Sequence, residues 1–249
     1  MANIGIEYIE NFAAARAAGV VESGGQDLTY VSDVAEGLRE ALECKGHTTT
    51  VSWIETDVFE VDLRAQSLGG IDQDVADKVD LFLISTHGDY DGAVSLLYNS
   101  KVDKFLGTSA EWRLGDTCAL EWLLIFGCHS IDRDRPLDHL HIFQGLHLFC
   151  GAYGDMFDSF TIDEAGEDVG DNLTSCDSVK DAWCDGVSDW FVDNHPAVVS
   201  VETEATYNGG NIDWANTVIE SDHLWGHGTT RADVKPDKQY WMAVVWEEG

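Results

Sequence analysis

Two short, uninterrupted apolar runs constrain this chain more than any other feature: Leu81-Phe82-Leu83-Ile84 and Trp122-Leu123-Leu124-Ile125-Phe126. Neither shows the apolar–polar alternation of a strand with one face in water. Such runs mark strands covered on both faces, as in a parallel sheet held between two other layers. A third run, Leu146-His147-Leu148-Phe149-Cys150, ended by Gly151, extends the pattern. Ahead of them, Asn3–Ile9 reads as a first strand. Residues 31–45 carry Val34, Ala35, Leu38 and Leu42 at helical spacing, with Gly46 placed as a C-terminal cap, and Thr48–Ile54 alternates as a strand. Residues 178–193 set Val179, Trp183, Val187, Trp190 and Phe191 on one helix face, stopped before Pro196. Val198–Thr206 and Tyr240–Trp246 read as closing strands, and the Gly-, Asp- and Asn-rich stretches 151–177 and 207–238 as long loops. Alternating strands and helices predict an α/β fold with a mostly parallel central sheet. No repeat or linker divides the chain, so residues 1–249 are expected to form one domain.

Charge narrows the function classes. Forty-six Asp and Glu face 14 Lys and Arg, a formal net charge of −32 spread along the whole chain. Such a surface repels phosphate backbones and anionic headgroups, so neither nucleic acid nor membrane is an expected partner. At low ionic strength these carboxylates repel one another, whereas near 1 M salt the Debye length shrinks to about 3 Å. Lys supplies only seven of the 14 basic residues, and Asp outnumbers Glu by 29 to 17. The chain reads as adapted to a salt-rich cytoplasm. No apolar stretch approaches membrane-spanning length, and the start Met1-Ala2-Asn3-Ile4-Gly5 lacks a secretory pattern. The expectation is a cytoplasmic protein whose six cysteines, none in a CxxC pair, stay mostly reduced.

Ligands of open α/β sheets bind where strands end at their carboxyl termini. Leu81–Ile84 is followed by Ser85-Thr86-His87-Gly88-Asp89, and Trp122–Phe126 by Gly127-Cys128-His129-Ser130. Two neighbouring strands would thus bring a histidine and a cysteine to one edge, as nucleophilic catalysis requires: a thiol and a base able to take its proton. His129, adjacent to Cys128, would point to the opposite face. His227-Gly228 is a rival histidine–glycine pair without a strand-like run before it.

An apolar strand ending in His-Gly, followed 41 residues later by one ending in Cys, resembles the caspase-like cysteine peptidases, a group that includes caspases, metacaspases, legumains and gingipains. Cys128-His129-Ser130 is most similar to the Cys-His-Ser of metacaspases and their prokaryotic relatives. The resemblance covers about residues 80–131. It implies a three-layer caspase-like sandwich and an intracellular endopeptidase acting on peptide or protein substrates. His87 would be general base, Cys128 nucleophile, and the Gly88 and Cys128 N–H groups the oxyanion hole. Metacaspases carry an acidic residue two positions before the cysteine; here that residue is Phe126, and Ile131 replaces the glycine after the serine. Asp89, Asp132 or Asp134 could supply the acid of a basic P1 pocket; an apolar pocket is the alternative. Two rival functions stay open: a non-catalytic binding module of the same fold, and a thiol hydrolase acting on small amides.

Cofactor signals are weak. His139 and His141 sit two apart in an expected helix, where their side chains diverge, and His223 and His227 flank glycines. No cysteine pair completes a zinc set, and no nucleotide-binding motif is present, so neither metal nor nucleotide is expected. Asp163, Glu164, Glu167, Asp168 and Asp171 crowd one expected loop and leave calcium open, without an EF-hand pattern. Trp112, Trp122, Trp183, Trp190, Trp241 and Trp246 are expected in the core.

Overall fold

The computed structural model describes residues 1–17, 26–88, 93–96, 106–116, 119–188, 191–203, 218–233 and 240–247. Among them a seven-stranded sheet runs through the centre. Strands β1 (Asn3–Tyr8), β2 (Thr48–Ile54), β3 (Leu81–Ser85), β6 (Trp122–Phe126) and β7 (Leu148–Ala152) are mutually parallel in the order β2-β1-β3-β6-β7. Two antiparallel strands, β8 (Pro196–Thr203) and β9 (Tyr240–Trp246), extend the β7 edge. A separate antiparallel pair, β4 (Ala93–Leu96) and β5 (Leu106–Thr108), had no counterpart in the sequence reading. The short helix α1 (Ala13–Ala17) follows β1.

Both faces of the sheet are covered, which is why β3 and β6 are apolar at every position. Ile4, Ile6, Leu81, Leu83, Trp122, Leu124 and Phe126 face α2 (Val31–Cys44), α3 (Ala165–Thr174) and α4 (Val179–Val187). Phe82, Ile84, Leu123, Ile125 and Phe149 face a third layer built from 3-10 turns within residues 55–78 and 109–142. The α/β expectation of a layered sandwich with a mostly parallel sheet thus holds, its third layer being made of turns.

Several local expectations change. The third apolar run enters the sheet at Leu148, because the His147 and Leu148 N–H groups both turn onto the Glu121 carbonyl. Nor does Gly151 end that strand. It lies within β7, where a Cβ would stand 2.3 Å from Ser130 Oγ, which in turn accepts the Ala152 N–H at 2.9 Å. Helix α4 stops at Val187, earlier than residue 193. Ser178 caps its start by accepting the Asp181 N–H, and the Asn194 amide takes the Val187 carbonyl at its end. Phe191 lies beyond the helix and is exposed, while Trp190 falls outside the described residues. Trp112, Trp122 and Trp183 are buried, but Trp246 is half-exposed on the edge strand β9, with the Arg133 guanidinium over its ring. Residues 204–206 of the expected closing strand, and 207–217 and 234–238 of the expected loop, also lie outside the described residues.

Helix α3 occupies part of what composition marks as a loop. Its apolar stripe is one residue wide, Ala165, Val169 and Leu173, and its glycines serve a close helix crossing. A Cβ on Gly166 would stand 1.8 Å from the Val34 carbonyl oxygen of α2, and one on Gly170 would stand 2.6 Å from Ala41 Cβ. The acidic group expected in a loop therefore gathers around the amino end of α3, with Glu167 and Asp168 in its first turn. There the helix dipole favours carboxylates.

The second sheet face contains a buried carboxyl, Glu7 on β1. It is 0% exposed, and its polar neighbour there is the Asp62 carboxyl. Burial first, and the neighbouring Asp62 carboxylate second, hold its pKa well above the ordinary carboxylate range. A carboxyl whose pKa is raised by folding binds its proton more tightly in the folded state. Its contribution is therefore favourable below the unfolded pKa, near 4.5, and lost as pH rises toward the folded one. Glu7→Gln should remove that dependence. We expect the variant to gain about 1–3 kcal/mol over wild type at pH 8 and little at pH 4, read from denaturant unfolding at both pH values.

Candidate active site

Strands β3 and β6 leave the sheet side by side, with Ser85 paired to Phe126. The pairing continues past the sheet, since the Thr86 N–H donates to the Phe126 carbonyl at 3.0 Å. Beyond this point the two backbones touch. A Cβ on Gly88 would stand 1.8 Å from the Cys128 carbonyl oxygen and 2.9 Å from its nitrogen, so only glycine fits there. The contact places His87 and Cys128 on adjacent, packed loops at the carboxyl edge, beside the point where strand order reverses between β1 and β3.

Each side chain has a defined partner. The His87 ring packs on Phe12, centroids 4.7 Å apart, and its Nε2 lies 2.9 Å from the Gln26 carbonyl. A carbonyl only accepts, so Nε2 carries the proton and Nδ1 is the basic nitrogen of the neutral ring. Cys128 is half-buried at the margin of the core. Its Sγ accepts the Met156 N–H and donates to the Met156 carbonyl, both at 3.3 Å. Burial pushes the thiol pKa up, opposed by the Met156 bond, so the resting sulfur is protonated.

The remaining residues singled out from sequence scatter. Phe126 is 2% exposed, within the core. Asp89 lies outside the described residues. Asp132 and Asp134 border an open cleft of about 280 Å³ with His129, Arg133, Tyr153 and His195. The cleft adjoins Cys128 through His129 and Gly154. Asp132 is held by the Arg135 side chain and by the Asp134 and Arg135 N–H groups, which lower its pKa against the opposing effect of burial. His129 has a left-handed backbone, φ +50°, so the extended geometry behind the expected opposite-face orientation does not continue past Cys128, and its Nε2 pairs with Asp155 Oδ1 at 3.1 Å.

The rival histidines lie elsewhere. His227 donates from Nδ1 to the Thr174 carbonyl and meets His47 Nε2 at 3.0 Å. His47 precedes β2 and its Nδ1 accepts the Ala2 N–H, so this pair belongs to the amino edge, opposite Cys128. His139 and His141 sit on a 3-10 turn, Pro136–Ile142, in place of the expected helix. His139 Nε2 accepts the Asp132 N–H, and His141 Nε2 bonds the Ser109 carbonyl. A group not legible in sequence also gathers at the amino edge: Glu121 before β6, His147 before β7, and Asp222 and Asp233 from the segment 218–233. Their separation in the chain, up to 112 positions, hides them from any motif.

A family model described as "Domain of unknown function (DUF6345)" matches residues 6–247. A search of curated proteins gives no match.

Proposed function

The chain belongs to the DUF6345 family, and we propose that it is a caspase-like cysteine endopeptidase in which Cys128 attacks the peptide and His87 moves the proton. The observation that carries this reading is the backbone contact of Gly88 with Cys128, which brings the histidine loop and the cysteine loop together at the carboxyl edge. Catalysis needs one rearrangement. The Cys128 Sγ leaves the Met156 backbone, and its proton passes to Nδ1 of His87, the nitrogen left basic by the Gln26 carbonyl. The thiolate then attacks the substrate carbonyl carbon, while the Gly88 and Cys128 N–H groups stabilise the oxyanion. His87 returns the proton to the leaving amine as the C–N bond breaks. Water, deprotonated by His87, next cleaves the thioester and releases the carboxylic acid and the thiol. The cleft beside His129, lined by Asp132, Asp134 and Arg133, is sized for a single side chain. Substrate-free thiol peptidases can hold these groups loosely aligned, so the resting geometry does not oppose the assignment.

The test is hydrolysis of a mixed peptide library in molar KCl, with cleavage sites read by mass spectrometry. The proposal expects defined internal cleavage by wild type and none by Cys128→Ala. No cleavage by folded wild type would favour a second reading, a non-catalytic binding module. That reading is favoured by the raised thiol pKa and by the engagement of both side chains with backbone groups.

The medium belongs to the proposal, because a net charge of −32 on 27.4 kDa suits a salt-rich cytoplasm. Among the described residues no helix is long and apolar enough to cross a membrane. The unfolding midpoint should rise by roughly 5 °C or more between dilute buffer and molar KCl, as screening removes carboxylate repulsion. An unchanged midpoint would remove the salt-adapted part of the reading.

A further inference from the structure

At the amino edge of the sheet, His147 is 0% exposed and sits among three carboxylates. Its two ring nitrogens have different surroundings. Nδ1 faces the Asp222 carboxylate at 3.2 Å, and that carboxylate is itself fixed: Oδ2 accepts the Trp122 indole N–H at 2.9 Å and Oδ1 accepts the Arg231 N–H at 2.9 Å. A buried carboxylate held in this way keeps one proton on Nδ1, so Nε2 is the nitrogen from which an ion would displace the second ring proton. Nε2 points into a group formed with Glu121 Oε2, 2.6 Å away, and Asp233 Oδ1, 3.8 Å away. The Glu121 oxygen lies off the axis of an N–H bond, so Nε2 makes no aligned hydrogen bond among the described residues.

We propose that His147 Nε2, Glu121 and Asp233 bind one divalent transition-metal ion, with Asp222 as the positioning residue behind the histidine. Their three ligand atoms all lie within 4.8 Å of one another, a span a single ion can draw together. A carboxylate behind the distal nitrogen of a metal-bound imidazole is the usual way a protein fixes the ring and raises its donor strength. Charge favours the ion as well. Three carboxylates around a protonated imidazole leave a local charge of −2, whereas a dication on the neutral ring leaves −1. One imidazole with carboxylate oxygens suits zinc or manganese better than calcium, which takes oxygen alone. Glu121 and His147 are buried and Asp233 is exposed, which gives the ion a route in from solvent. Three protein ligands leave a position for water. The bound ion would clasp the segment 218–233 to the amino ends of β6 and β7. This site is independent of the Cys128 reading and lies at the opposite edge.

The test uses the full chain in a Cys44→Ser/Cys176→Ser background, which removes the two thiols that are exposed among the described residues and would compete for zinc. Zn²⁺ is titrated calorimetrically into chelator-treated protein in molar KCl, and the unfolding midpoint is read with and without the ion. The expected result is one equivalent bound and a raised midpoint. Asp233→Ala, at an exposed position, should fold normally, bind about tenfold or more weakly and lose the midpoint shift; Glu121→Gln should do the same. Mn²⁺ added to wild type and to the two variants should show by its paramagnetic resonance the same loss in the variants. No stoichiometric binding by folded wild type would overturn the proposal. So would binding that Asp233→Ala and Glu121→Gln leave unchanged, which would assign the zinc to the general acidic surface.

Discussion

Peptide hydrolysis is expected to fall by about three orders of magnitude or more in Cys128→Ala, and by a comparable factor in His87→Ala. The two residues act as one unit. A thiol held protonated by burial does not attack without a base, and a base at Nδ1 has nothing to activate without the thiol. The double variant should therefore be no slower than the worse single one, since the effects of such a pair do not add. The measurement is kcat/KM on the best library peptide. Circular dichroism should report unchanged folding, because His87 is half-exposed and Cys128 packs only at the margin of the core. Additive losses would point to separate roles for the two side chains.

Gly88→Ala should be among the more damaging small substitutions at the described residues. Its new methyl group would stand 1.8 Å from the Cys128 carbonyl oxygen, and the obstacle is backbone on both sides. Relief requires the loops after β3 and β6 to separate, which breaks the Thr86–Phe126 bond and moves histidine and cysteine apart. The expected cost is about 3 kcal/mol of stability, at the upper end of overpacking effects, with hydrolysis lost even where the protein stays folded. Gly69→Ala provides a control for backbone strain alone. Gly69 has φ +91° but nothing lies within 4 Å of its Cβ position, so that variant should lose only about 1 kcal/mol and keep activity. Equal effects of the two substitutions would show that the Gly88 contact does not matter to the site.

Much of the sheet was legible because burial on both faces writes itself as an unbroken apolar run. Leu81–Ile84 and Trp122–Phe126 fall inside β3 and β6, and Thr48–Ile54 and Tyr240–Trp246 match β2 and β9. Helix α2 was equally plain, since Val34, Ala35, Leu38 and Leu42 repeat at its pitch and Gly46 closes it with φ +94°. Helix α3 was not. Its glycines at 166 and 170 serve a close crossing over α2, and the same residue type elsewhere marks a loop. The inner strand position of Gly151 was hidden for a similar reason, because Ser130 presses where a side chain would stand.

At the candidate site, sequence order pointed to His87, Gly88 and Cys128, and the register of β3 against β6 sets their loops together. What a linear reading did not contain is the partner of each group. Gln26 and Met156 act through backbone atoms, which carry no residue signature. The offset of Phe126 from the cysteine, taken alone, points to the substrate pocket. Strand alternation instead sends its ring to the helical face, into the core. The amino-edge cluster escaped for the opposite reason. Glu121, His147, Asp222 and Asp233 have informative side chains but meet only through the fold, and one histidine among 46 carboxylates carries no spacing to notice.

The pairing of His87 with Cys128 is tested most directly by the alkylation rate of each cysteine, mapped by mass spectrometry across pH in molar KCl. Cys44 and Cys176 are exposed and serve as internal standards for an unassisted thiol, while Cys150 and Cys184 are buried. If His87 takes the thiol proton, Cys128 reacts with iodoacetamide faster than both standards near neutral pH. In His87→Ala that advantage should vanish and its reaction move above the ordinary thiol range near 8.5. A Cys128 slower than Cys44 and Cys176 at every pH, and indifferent to His87→Ala, would contradict the dyad.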